Sequence, residues 1–184
     1  IGVKCDIMLK NSQPEVEMLI IIIIIAGILL DQLTKIYFAS ILEPGESITV
    51  IKNVLNFTYV ENKGAAFGML DGARYFFIAV TVLTCAALGW WLIKNKNKTH
   101  KLMGISCAMI ISGGIGNLID RIFLGSVRDF IEFNINFAIF NVADSFVTVG
   151  AVLLGVYILF IHDKYVQQLK DEAAADAEQD KNSD

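Results

Sequence analysis

The residues of this chain whose types could do chemistry are Asp31, Asp120, Asp129 and Asp144, with Asn62, Asn117, Asn141 and Arg121 in related positions. Carboxylates can work in pairs. Two held close together cannot both ionise, so they share a proton; one then acts as base on a water and the other as acid towards a substrate. Such a pair suits peptide hydrolysis at a membrane edge, where water can enter. Other chemistries fit less well. A serine or cysteine nucleophile needs a nearby base, and His100 and His162 fall on the opposite side of the chain's layout. A Ser–Lys pair would need Lys35 or Lys63 beside a serine, and no spacing supports it. Zinc would want His or Cys ligands. Cys5, Cys85 and Cys107 are scattered, without a CxxC, and read as free thiols.

These residues must be positioned by apolar elements. The chain has 184 residues, 55% hydrophobic and 18% charged, with a mean hydropathy of +0.58. That balance points to lipid as solvent. Four stretches approach the roughly 20 apolar residues needed to cross a bilayer: Met18 to about Phe38, about Arg74 to Ile93, Leu102 to about Leu124, and about Asn141 to Ile161. The first is not a cleavable leader, because no small-x-small site follows its apolar run. The expected fold is an all-α membrane protein of four transmembrane helices with a small β-rich extracytoplasmic element. That element occupies 44–70, where Glu46–Lys52 and VLNFTYV at 54–60 read as two short strands.

Orientation follows from the short loop holding Lys94, Lys96, Lys98 and Lys101, which marks the cytoplasmic side. Both termini are then cytoplasmic, and the loops at 39–73 and 125–140 face outward. Residues 1–17 read as a cytoplasmic N-terminal extension, 18–161 as the membrane domain, and 162–184 as an acidic cytoplasmic tail, a frayed helix end or disordered after about Leu169. Residues 171–184 carry six acids and one lysine, so the rest of the chain is at +1 against an overall −4. There is no broad basic surface, and nucleic-acid binding gains no support.

Depth is the informative variable. Thirteen residues, Met18–Leu30, precede Asp31; at about 1.5 Å each, Asp31 lies past the midplane towards the outer face. Asn117 comes fifteen residues after Leu102, with Asp120 and Arg121 a turn further out. Asp129 lies beyond that span, and Asn141 and Asp144 open the next. All converge on one level near the outer interface, drawn from three helices and the outer segments. Polar groups inside a bilayer are expensive, so such a cluster reads as an active site or a polar path.

DQLTK at 31–35, ENKGAAFGML at 61–70, GGIGNLIDRIFLGSVRDFIEF at 113–133 and FNVADS at 140–145 resemble the lipoprotein signal peptidases (signal peptidase II). The four motifs occur in the family's order, and coverage runs from about Met18 to about Ile161. The resemblance implies an aspartic endopeptidase of the bacterial cytoplasmic (inner) membrane, its active site at the outer face. Asp129 and Asp144 match the family's catalytic aspartates. The implied substrate is a prolipoprotein whose cysteine carries diacylglycerol, cut just before that cysteine. Globomycin is the implied inhibitor, and membrane lipid surrounds the helices. No metal or organic cofactor is implied, and a monomer is expected. Asn62, Gly64, Asn117, Arg121 and Asn141 are the expected substrate-binding residues, with the Asn62–Phe67 loop closing over the substrate. Asp31, Lys35 and Asp120 are expected as supporting polar residues. The chain departs from the family pattern in the N-terminal extension and the acidic tail.

Simpler roles compete. Asp144 could serve only a helix dipole, and Asp129 could be an ordinary loop acid. Asp120 could pair with Arg121, or with Asp31 through a shared proton. Asp31 and Lys35 stand at i,i+4 and suit a local ion pair. Trp90 and Trp91 read as interface anchors, and glycines 113–116 as helix packing. A proton-coupled transporter would spread carboxylates through the full depth, a scaffold would need no paired aspartates, and a presenilin-like protease would carry a GxGD motif.

Overall fold

The computed structural model of the chain describes residues 14–64, 73–135 and 137–182. Four helices are long and apolar enough to cross a membrane: α1 (Pro14–Ile41), α2 (Arg74–Lys94), α3 (Lys101–Phe123) and α4 (Val142–Phe160). The shortest has 19 residues, roughly 28 Å at the α-helical rise. Helix α1 begins four residues earlier than Met18. Pro14 suits a first helical position, where no intrahelical N–H bond is lost, and Glu15 and Glu17 favour the positive end of the helix. Residues 1–13 of the expected extension lie outside the described residues.

Helix α3 is the hub of the bundle. Half of its most apolar window is buried, against none of the window in α2, and it packs on α1, α2 and α4. Its buried face carries Gly104, Ser106, Ala108, Ser112, Gly113 and Gly116. In lipid there is little hydrophobic drive between helices, so small residues that admit close approach hold them together. A Cβ on Gly113 would collide with the Ala143 carbonyl of α4, and one on Gly116 would stand 2.5 Å from Asp31 Oδ2 of α1. The expectation of helix packing for the 113–116 run thus has direct geometry at both positions. Ile21, Leu33, Leu83, Ile93 and Leu159 point outward, as lipid-facing residues do.

The extramembrane element is a three-stranded antiparallel sheet in the order β1 (Ser47–Ile51), β2 (Leu55–Asn62), β3 (Val127–Phe133). The hairpin between β1 and β2 turns at Asn53, which takes φ 62°, a conformation asparagine tolerates. Strand β3 lies in the stretch expected to be loop. Both Asp129 and Phe130 are buried, so the inside–outside alternation that marks a strand is broken where it would be read. Opposite them, Phe57 pairs with Ile131 and Val60 with Asp129. Two residues of β2 therefore face Phe130 alone, a bulge that increases local twist beside Asp129. Phe130 stacks on Phe38 at 4.4 Å, and Phe57 meets the same ring at 4.5 Å. With Leu42 and Tyr59, they dock the sheet on the Ile41 end of α1.

At the lysine-loop end, Trp90 is exposed under Lys94 (4.8 Å), whereas Trp91 packs partly into the Leu92–Cys107–Ile111 cluster. Cys85 and Cys107 are free. After a break at Ile161, α5 (His162–Asn182) continues the chain as helix. The helix runs through the stretch expected to be a frayed helix end or disordered, where alanine, glutamate and glutamine favour helix.

Candidate active site

Four elements and one strand end bring the expected polar residues together at the sheet end of the bundle. The N-terminus of α4 organises them. Asn141 is its N-cap: the Asn141 side-chain oxygen accepts from the Asp144 N–H (2.9 Å), and Asp144 Oδ2 accepts from the Asn141 N–H (3.2 Å). The Asn141 amide nitrogen donates to Asp129 Oδ1 (2.6 Å) and to Asn117 Oδ1 (3.1 Å). Asn117 Nδ2 in turn donates to Asp144 Oδ1 (2.7 Å). Asn62 Nδ2 donates to Asp129 Oδ2 (3.0 Å), while its oxygen accepts from Gly64 N–H (3.0 Å). Asp129 and Asp144 are thus joined through Asn141 rather than by a direct bond.

Behind this layer lies a second, more deeply buried one. Asp31, Lys35 and Asp120 have no exposed surface. Lys35 Nζ stands 2.9 Å from Asp31 Oδ2, the i,i+4 ion pair that the spacing suggested, and 3.7 Å from Asp120 Oδ2. Asp31 Oδ1 accepts from the Ala143 N–H (2.9 Å), which ties α1 to the first turn of α4. Asp120 does not pair with Arg121. Consecutive helical residues point about 100° apart and do not face one another. Its partner is Arg128, which donates through its backbone N–H (3.0 Å), Nε (3.1 Å) and Nη2 (2.7 Å). Nor do Asp31 and Asp120 share a proton directly; Lys35 and Gln32 stand between them, with Gln32 Nε2 donating to both carboxylates (3.1 and 3.3 Å).

Arg128 and Gln32 were missed by sequence reasoning. Gln32 looks like any polar neighbour in DQLTK. Arg128 had one usable signal, since four buried aspartates at one level call for more cations than Lys35 and Arg121 supply.

In front of the aspartates opens a cavity of about 480 Å³. Asn62, Gly64, Arg121, Asp129 and Asp144 form its polar wall; Phe77, Phe140 and Val149 contribute to its apolar one. The Arg121 guanidinium lies over the Phe77 ring at 5.0 Å. Asn117 and Asn141 lie behind the aspartates, with their amide hydrogens engaged by Asp144, Asn117 and Asp129. In this structure both asparagines hold the carboxylates. Residues 65–67 of the expected Asn62–Phe67 lid lie outside the described residues. Among the described residues, no three His, Cys, Asp or Glu side chains gather as a metal site.

Asp129 is 2% exposed. Burial and, after it, the charge of Asp144 raise its pKa to about 7, against the hydrogen bonds from Asn62 and Asn141. A carboxylate poised near neutrality in a cavity is the kind of group an enzyme uses to move protons.

Four apolar helices around a carboxylate-walled cavity define a multi-pass membrane protein with an enzyme-like site at one end of its bundle. A family model described as signal peptidase (SPase) II matches residues 23–160. A lipoprotein signal peptidase of Caldanaerobacter subterraneus subsp. tengcongensis is 48% identical over 140 residues, 76% of this chain and 95% of that one. One from Clostridioides difficile is 45% identical over 148 residues, 80% of this chain and 99% of the relative. Among solved structures, a bacterial membrane enzyme determined in meso at 2.3 Å superposes with a TM-score of 0.71 at 36% identity, covering 79% of this chain and 88% of that one. The chain belongs to the signal peptidase II family and is a peptidase.

Proposed function

We propose that this peptidase removes signal peptides from diacylglyceryl-modified prolipoproteins, cutting just before the lipidated cysteine, with Asp129 and Asp144 as an aspartic pair. One observation carries the assignment of the pair: both carboxylates line one cavity, and each is fixed by asparagine donors that leave the cavity side open. Groups coupled in this way titrate as a unit and hold one proton between them near neutral pH. The ionised carboxylate takes a proton from a water placed between the two. That water adds to the scissile carbonyl carbon while the protonated partner donates to the substrate, and the leaving amine departs with a proton. Arg121 offers a fork of donors to a carbonyl or carboxylate of the substrate.

The lysine loop supports an arrangement with both termini cytoplasmic and the cavity at the outer face of the bacterial inner membrane. Residues 18–161 are then the peptidase domain, with 1–17 and 162–184 as cytoplasmic segments. The acyl chains of the substrate would lie against the lipid-facing helices, and the enzyme would act as a monomer. The test is processing of one lipidated precursor by the purified protein with and without globomycin. Cleavage that globomycin blocks is expected. Equal cleavage of an unlipidated precursor, or none of the lipidated one, would remove the substrate assignment.

A further inference from the structure

We infer that Lys35 is a positioning residue for the aspartate pair: its ammonium decides which end of the Asn117 amide faces Asp144. The inference rests on the reading of Asp129 and Asp144 as the cutting pair. An asparagine amide has nearly the same shape at its two ends, so its orientation is set by its partners. Asn117 Oδ1 receives Lys35 Nζ at 2.8 Å and Asn141 Nδ2 at 3.1 Å. An ammonium has three donors and no acceptor. A reversed Asn117 would press its NH2 group against two donors and turn its oxygen towards the Asp144 carboxylate. With Lys35 in place, Nδ2 is directed at Asp144 Oδ1, 2.7 Å away.

Lys35 is itself held from below. Asp31 of α1 and Asp120 of α3 fix its ammonium at 2.9 and 3.7 Å. Asp31 also grips the Ala143 N–H of α4, while Arg128 of β3 neutralises Asp120. A continuous path therefore runs from Asp31 through Lys35 and Asn117 to Asp144, and its first and last members sit on the helices that carry the site. The charged groups around Lys35 are Asp31 on its own helix, Asp120 and Arg121 from α3, Arg128 and Asp129 from β3, and Asp144 from α4. Its positive charge favours the ionised form of Asp129. Lys35 thus acts on both carboxylates without facing the cavity.

The experiment compares full-length purified variants for melting temperature, kcat, KM and pH profile on a lipidated precursor. Lys35→Met alone would leave two buried carboxylates with one fewer cation and can fail to fold. Lys35→Met combined with Asp31→Asn removes one charge of each sign. It keeps an oxygen for the Ala143 N–H and leaves Asp120 with Arg128. This double variant should melt near the parent with an unchanged KM. Its kcat should fall about 10²-fold, the scale of a small misplacement at a reacting centre. The acid limb of its profile should move upward, since the lost cation favoured the ionised form of Asp129 and outweighs the anion lost with it. Lys35→Arg, which keeps a charged donor on a bulkier fork, should recover part of the loss and remain about tenfold slow at parental KM.

A folded double variant with parental kcat and profile overturns the inference, as does a loss carried wholly in KM. Should the double variant not fold, a Lys35→Arg protein with parental kcat overturns it equally. Asp129→Asn measured in parallel separates the two readings. If it still cuts, the aspartic pair fails; if it is inert while the Lys35 variants are parental, only the role of Lys35 fails.

Discussion

The two ends of the bundle carry polar clusters of opposite character. At the lysine-loop end, His100 caps α3 by accepting the Leu102 N–H (3.2 Å), stacks on Tyr157 (5.3 Å) and meets Tyr165 edge-on (4.9 Å). His162 reaches the Tyr157 hydroxyl at 3.4 Å. These rings pack on one another and fasten α5 to the bundle. Burial lowers the pKa of His100, which keeps it uncharged and able to accept at the helix N-terminus. At the sheet end the groups are formal charges, and two of the carboxylates face a cavity. The difference teaches that polar residues near a membrane surface are not by themselves a site. A site needs charge that its neighbours orient without neutralising, next to space for a ligand.

Breaking the sheet end at its front should have the largest effect. Asp129→Asn and Asp144→Asn should each fold and insert, yet lose at least about 10³-fold in cleavage of lipidated precursor, as removal of an acid–base group does. Retention of the parental rate by either would take that residue out of the pair.

Breaking the same end from behind should act on folding. Asp120→Asn leaves Arg128 and Lys35 with a weaker partner, and losing one member of a buried ion pair costs roughly 3–5 kcal/mol. The expected result is a lower yield of intact protein, with residual specific activity in whatever folds. A normal yield with a normal melting temperature would show that Gln32 and solvent compensate.

A subtler outcome sharpens the contrast between holding and working. The pKa of Asp129 is about 7 in the fold against 3.8 in a free chain. Its contribution to stability is therefore fully present below pH 3.8 and lost as pH rises through the folded value. Asp129→Asn should consequently melt higher than the parent at about pH 8, with the advantage shrinking towards about pH 5. Melting curves at the two pH values decide it; a variant less stable at both would show that the carboxylate is held favourably after all.

The smallest effect belongs to the other end. His100→Ala should cost about 1 kcal/mol through loss of the helix cap and leave cleavage within about twofold, the scale of surface substitutions away from chemistry. A large fall in kcat would erase the distinction between the two clusters.

Much of this arrangement could be read from the chain because lipid makes its demands on sequence unusually plain. Every backbone group of a span must be satisfied within the helix, so length and hydropathy located α1 to α4 to within a few residues. The rise per residue then placed Asp31, Asn117 and Asp144 at one level. What could not be read was lateral. Depth says nothing of which neighbour a side chain turns towards, so Asp120 could be given adjacent Arg121 or Asp31, while its partner Arg128 lay in a strand eight residues on. That strand was hidden because its buried Asp129 interrupts the apolar alternation. The bonds from Asn117 and Asn141 to the two carboxylates were equally illegible, because sequence cannot tell a donor used on a carboxylate from one offered to a ligand. The reach of α5 was left open for a different reason: its many acids allow disorder, while its alanines and glutamines favour helix.

Val149 of α4 lines the cavity and is 46% exposed. A wall residue open in this way, on a helix long and apolar enough to cross a membrane, would let a precursor come to the proposed aspartate pair sideways through the hydrocarbon. Encounter is then a search in two dimensions, and the quantity that governs turnover is the number of precursor molecules per unit area of membrane. Rates measured in mixed micelles should fall as inert detergent is added, even when enzyme and precursor stay at constant molarity.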